Sequence, residues 1–164
     1  GKAEDYIDLY QGNFQTIAVN KKSHYSVKLN SIRVGDYPKI SAFKTEEINP
    51  QINNAIIDTG ASGIVLSNHL FNNLINNLQN ISQDFISLLA PFEDIHFQDI
   101  GIDMKLLNLD DWPDITFTFQ GESKVTSQET SIICKPEDYW QINTPSYGPA
   151  LKSFHSYQTG LYSR

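Results

Sequence analysis

Along most of the chain apolar and polar residues alternate in short runs, the period of half-buried β-strands. Ile115, Phe117 and Phe119 alternate with Asp114, Thr116 and Thr118, and the run ends in the turn sequence Gln120-Gly121-Glu122-Ser123. This predicts a strand over 115–119, a return strand over 124–127 and a further strand over 130–134. Between His24 and Gly35, Tyr25, Val27 and Leu29 fall on one face, whereas Ile32 and Val34 fall on the opposite phase. A one-residue change of phase would flip every later side chain out of the core. The pattern therefore predicts a bulge near Asn30-Ser31. Weaker strand patterns run over 13–19 and 37–43.

Two segments change to helical spacing. Leu70, Phe71, Leu74, Ile75 and Leu78 recur every three or four residues behind Ser67, a residue type that caps helix N-termini. The opposite face is asparagine (Asn68, Asn72, Asn73, Asn76, Asn77), a poor helix former, so packing of the apolar stripe must hold this helix. Phe85, Ile86 and Leu89 predict a second helix over 82–90, ending before Pro91. From Pro136 onward Pro, Gly and Tyr predominate, which predicts loop with one short strand over 139–142. No internal repeat or linker divides the chain.

Composition narrows the classes. With 164 residues, 40% of them hydrophobic, the chain can bury a core. Its 19 acidic residues outnumber 12 Lys and Arg, and no basic cluster could replace phosphate counterions, so nucleic acid is not an expected partner. No apolar run is long enough for a membrane span. Cys134 is the single cysteine, which excludes an internal disulfide and a cysteine-built zinc site. Its apolar setting predicts a buried thiol. His69, His96 and His155 lack metal-ligand spacing, so neither metal nor cofactor is expected. Gly1 in place of an initiator methionine suggests a processed product or an excerpt.

Ala55-Ile56-Ile57-Asp58-Thr59-Gly60-Ala61-Ser62 carries the chemistry. Two branched apolar residues lead a carboxylate to the end of what should be a buried strand. There its charge requires N–H groups, hydroxyls or a partner carboxyl around it. Thr59 offers a hydroxyl, Ser62 can satisfy a loop amide, and Gly60 allows a sharp turn and close approach of a ligand. Asn80-Ile81-Ser82 is an N-glycosylation triplet between the two helices.

The stretch Ile56 to Ser62, followed by Ile64-Val65-Leu66 and a short helix, resembles the second active-site loop of pepsin-like aspartic proteases. Tyr10-Gln11-Gly12-Asn13-Phe14 leading to His24–Gly35 is similar to the strand pair that opens their C-terminal lobe. Trp112 to Gly121, then Lys135-Pro136-Glu137-Asp138-Tyr139, resembles a hairpin with its Pro-x-x-Tyr exit. These blocks span roughly residues 6 to 142 in the family's order. The resemblance implies a mainly β fold, one lobe of a bilobal antiparallel acid-protease fold, with two or three short helices. It implies Asp58 as one catalytic aspartate, Thr59, Gly60 and Ser62 as loop support, and Gly60, Ala61, Ser62 and His24 beside an extended peptide substrate. The second aspartate would come from an N-terminal lobe or another chain. Secretion or a lysosomal or vacuolar location would follow, with Asn80 as the sugar acceptor.

Departures from the family pattern qualify that reading. One Asp-Thr-Gly loop is present where a complete enzyme has two. The apolar-apolar-Gly segment that braces the loop is not supplied by Asp99-Ile100-Gly101 or by Thr159 to Arg164. Residues 1–164 are thus expected to be a single, incomplete C-terminal lobe lacking the N-terminal lobe and the final strands. Such a lobe would leave the Ile56-Ile57 strand with an open edge and exposed apolar surface. Two alternatives remain open: an inactive lobe acting as a binding or structural subunit, and a retroviral-type homodimer pairing Asp58 with its own mate. About 57 residues ahead of the loop disfavour the latter.

Overall fold

The structure, a computed structural model, describes residues 15–19, 25–43, 54–58, 60–61, 63–89, 102–122, 129–143, 156–159 and 161–163. Its largest sheet is antiparallel, with strand order β3 (Ile40–Ser41), β2 (Leu29–Val34), β7 (Ile115–Gln120), β8 (Glu129–Cys134). Along β2 and β7 the register runs from Val34 opposite Ile115 to Ser31 opposite Thr118, then skips to Leu29 opposite Phe119. Asn30 is the extra residue, so the phase change in the sequence is a β-bulge, as the alternation predicts. It keeps Val27, Leu29, Ile32 and Val34 all buried. Tyr25 does not join them. It precedes the first ladder position, and its side chain is 70% exposed.

At the end of β2 the chain reverses at Gly35, whose φ of +48° suits a residue without a Cβ. A Cβ there would also stand 3.2 Å from Pro113, and the Gly35 N–H donates to the Asp114 carbonyl at 2.8 Å. The next strand after β7 is its antiparallel partner β8, with Gln120 opposite Glu129. The predicted strand over 124–127 lies outside the described residues. In the weaker 13–19 segment, Ile17 forms an isolated bridge to Gly121.

Helix α1 (Asn68–Gln79) begins as the sequence predicts, with Ser67 Oγ accepting the Leu70 N–H at 3.4 Å. Leu70, Phe71, Leu74, Ile75 and Leu78 are all buried, and α1 packs on β2 and β3. Burial of five such side chains, at about 1.5–3 kcal/mol each, outweighs the weak helix propensity of the asparagine face. His69 adds a polar tether, with Nε2 3.2 Å from the Ser41 carbonyl oxygen of β3. Helix α2 (Gln83–Leu89) buries Phe85 and Leu89, whereas Ile86, expected on the same face, is exposed. Phe85 and Leu89, four residues apart, set the buried line of this short helix, and Leu88 rather than Ile86 widens it against the core. Phe85 stacks on Trp112 at 3.9 Å, and Trp112 meets Trp140 edge-on at 4.9 Å.

The C-terminal region departs from the loop expected of it. Helix α3 (Pro136–Tyr139) is a single turn in which the Lys135 N–H donates to Asp138 Oδ2 at 2.8 Å. The buried Tyr139 hydroxyl donates to the Pro113 carbonyl at 2.6 Å, tying this exit to the start of β7. β9 (Trp140–Asn143) fulfils the predicted short strand. It pairs antiparallel with β10 (Ser156–Thr159), which also pairs with β6 (Ile102–Asp103). Finally β11 (Leu161–Ser163) lies parallel to β5 (Ile64–Leu66), so the end of the chain adds a strand beside the one that follows the Asp58 loop. For β10 and β11 the cause includes partners distant in sequence, β6 and β5, which no local alternation discloses. The fold of the described residues is mainly β, with antiparallel sheets and three short helices.

Candidate active site

The loop bearing Asp58 hangs between two short strands. β4 (Ala55–Ile56) pairs antiparallel with β1 (Ser26–Val27), placing Ile56 opposite Ser26 and Ala55 opposite Val27. The Ile57 N–H extends the ladder by donating to the Tyr25 carbonyl at 3.0 Å. At the other end a side chain takes the place of a strand residue. Asn54 Oδ1 accepts the Leu29 N–H at 2.8 Å, and Asn54 Nδ2 donates to the Leu29 carbonyl at 2.9 Å. One carboxamide thus satisfies both backbone groups of Leu29 next to the bulge and fixes where β4 starts. Nothing in the apolar pattern marks Asn54. The cue available was an amide residue directly ahead of the apolar run.

Beyond Ile57 the backbone turns. Gly60 N–H donates to Asp58 Oδ1 at 2.9 Å, and the Ala61 N–H lies 3.3 Å from the Asp58 carbonyl oxygen. The carboxylate is therefore oriented by the amide two residues on, an Asx-type arrangement. Glycine has a specific reason at position 60: a Cβ there would stand 3.3 Å from Asp58 Oδ1. The requirement is closeness to the carboxylate; Gly35 is the described glycine with a positive φ. β5 then carries the chain into α1, with Leu66 buried, so the loop stands between a hydrogen-bonded ladder and a packed helix.

One expectation for this loop is overturned. The strand leading to Asp58 is not buried: Ile56 is 61% exposed, Ile57 38%, and Asp58 itself is exposed. Among the described residues β4 has one ladder partner, β1, so its other edge is unpaired. Val65, on the far side of the loop, is 60% exposed. Ile56, Ile57 and Val65 on either side of Asp58, with Tyr25 bonded beside Ile57, thus leave an apolar surface open to solvent.

Of the residues singled out in the sequence, Asp58, Gly60 and Ala61 are brought together in this turn. Thr59, Ser62 and His24 lie outside the described residues. Asn80 is exposed at the C-terminal end of α1. Among the described residues no group of three or more His, Cys, Asp or Glu could hold a metal ion, and no helix is long and apolar enough to cross a membrane.

The two displaced titrations belong to β8 and α3. Burial, reinforced by Asp138 and Asp114, pushes the Cys134 thiol up to about 11. The thiol is half-buried rather than fully enclosed, because β8 is an edge strand of its sheet. Burial likewise raises Tyr139 far above the ordinary tyrosine range, helped by Asp114, Cys134 and Glu137.

The profile of the family described as eukaryotic aspartyl protease matches residues 6–147, which takes in the loop, both flanking strands and the β7–β8 hairpin. The chain belongs to the eukaryotic aspartyl protease family. No curated protein matches the sequence. Members of the family are peptidases, hydrolases acting on peptide substrates, and are generally secreted or act in lysosomes and vacuoles.

Proposed function

We propose that this chain is the C-terminal lobe of a pepsin-like aspartic endopeptidase and that Asp58 is one of its two catalytic aspartates. The observation that carries the reading is the Asp58 carboxylate held by the Gly60 N–H in a turn between β4 and β5, inside the family match. Two carboxylates facing one water cannot both ionise easily, because like charges at close range split their titrations. One stays ionised and takes a proton from the water as it attacks the scissile carbonyl, while the other gives its proton to the carbonyl oxygen. Asp58 supplies one carboxylate, and a second lobe supplies the other. Thr59 and Ser62 brace the loop, while Gly60, Ala61 and His24 meet an extended peptide.

The solvent-facing Tyr25, Ile56, Ile57 and Val65 support a second wall, since apolar surface beside a charged catalytic group is normally covered by a partner or substrate. A single carboxylate cannot perform both proton transfers, so the chain alone should leave an unfolded protein intact at acidic pH. The deciding experiment isolates the chain with its native partners and assays acidic cleavage of an unfolded protein, wild type against Asp58→Asn. Loss of activity with an unchanged set of partners supports the assignment. An unchanged rate in the variant would place the chain among non-catalytic subunits. Cleavage by partner-free wild type that Asp58→Asn abolishes would indicate a homodimeric enzyme. We further propose that the chain travels the secretory route.

A further inference from the structure

Asn80-Ile81-Ser82 is the single Asn-x-Ser/Thr triplet in the sequence, and it takes no part in the peptide-bond chemistry proposed for Asp58. Asn80 is exposed where α1 ends. Its backbone N–H returns to the Asn76 carbonyl at 3.1 Å, and the Ile81 N–H to the Leu78 carbonyl at 3.1 Å. Ser82 Oγ then accepts the Asp84 N–H at 3.2 Å, opening α2. Backbone and Ser82 groups thus make the bonds of this turn. Among the described residues none hydrogen-bonds the Asn80 carboxamide, so a substituent on its nitrogen breaks no hydrogen bond among them.

We infer that Asn80 carries an N-linked glycan, an inference that rests on the secretory route proposed above. In the step required, the Asn80 carboxamide nitrogen attacks the anomeric carbon of a lipid-diphosphate-linked oligosaccharide. A C–N bond forms, the bond from that carbon to the diphosphate oxygen breaks, and the lipid diphosphate leaves with the electron pair. The amide proton passes to a base of the transferase. Placement suits a protease: α1 has 12 residues, about 18 Å at 1.5 Å per residue, and its other end adjoins β5 and the Asp58 loop. The sugar stands beside the exposed asparagine face of α1, a helix length away from the substrate side.

The test translates the full chain, placed behind a cleavable signal peptide, in the presence of microsomes. A single gel shift, reversed by an N-glycanase and absent in both Asn80→Gln and Ser82→Ala, is the expected result. Ser82→Thr should raise the glycosylated fraction or leave it unchanged. A translocated, protease-protected chain running at its unmodified mass would overturn the inference. Because the signal is supplied, a shift seen here alongside unmodified chain in native cells would upset the secretory route and leave the acceptor site standing.

Discussion

Replacing Tyr139 by Phe removes one oxygen from a side chain that is 1% exposed and leaves its shape in place. That oxygen donates the 2.6 Å hydrogen bond to the Pro113 carbonyl, which joins α3 to the start of β7. A typical hydrogen bond contributes about 0.5–1.5 kcal/mol net, and stranding a buried partner costs about 1–3 kcal/mol. Pro113 is partly accessible, so water can recover some of the loss, and a destabilisation of about 1–2 kcal/mol is expected. For a chain of this length that corresponds to a fall in Tm of about 2–8 °C. Urea titration followed by tryptophan fluorescence reads the loss directly. The chain's two tryptophans, Trp112 and Trp140, lie in edge contact, and each follows a residue of this link or stands next to one.

The same bond makes a pH prediction. The Tyr139 hydroxyl holds its proton more tightly in the folded chain than in the unfolded one. Its contribution is therefore complete below the unfolded tyrosine value, about 10, and declines as pH rises above that. Wild type should lose stability from about pH 10 upward, and Tyr139→Phe should lose less over the same interval, so the difference between them narrows. Equal urea midpoints at pH 7, or parallel declines above pH 10, would refute the argument.

Other expectations follow from single contacts. Asn54→Ala removes both bonds to Leu29 and should cost about 1–3 kcal/mol, with faster protease nicking between 54 and 61; nicking at the wild-type rate would remove Asn54 from the positioning of β4. Gly60→Ala places a Cβ 3.3 Å from Asp58 Oδ1, and in the assembled protease it should lower kcat about tenfold or more while stability falls by less than about 1 kcal/mol. An unchanged kcat there would mean that the carboxylate does not need this turn. Cys134, with its thiol pushed up to about 11, should alkylate slowly at pH 8 and accelerate toward pH 11, whereas a rate that levels off near pH 9 would contradict its burial.

What the sequence disclosed depended on how local the cause was. The five buried positions of α1 and its Ser67 cap follow from spacing within twelve residues, and the structure has each of them. The bulge at Asn30 was equally legible, because a strand that must bury Leu29 and Ile32 together has to absorb an extra residue. β10 and β11 were not legible. β11 owes its conformation to the distant β5, β10 lies between β9 and the distant β6, and the run Ser156–Thr159 carries no apolar alternation to announce it. Asn54 escaped for a related reason: a carboxamide standing in for a backbone pair obeys no periodicity.

The Asp58 loop divides along the same line. Its internal geometry was readable because it is set within four residues: an aspartate, a glycine two positions on that leaves room for the carboxylate, and an amide aimed at it. Its surroundings were misjudged because Ile56-Ile57 reports only that the strand wants cover, never which element provides it. The sequence pattern of a buried strand and the exposure of that strand agree if the cover belongs to the assembled cleft. On the two-lobe proposal, exposed Ile56 and Ile57 would be the part of the core that the lobe shares with its partner. On the same proposal Asp58, at the end of that strand, would stand where two lobes enclose one water.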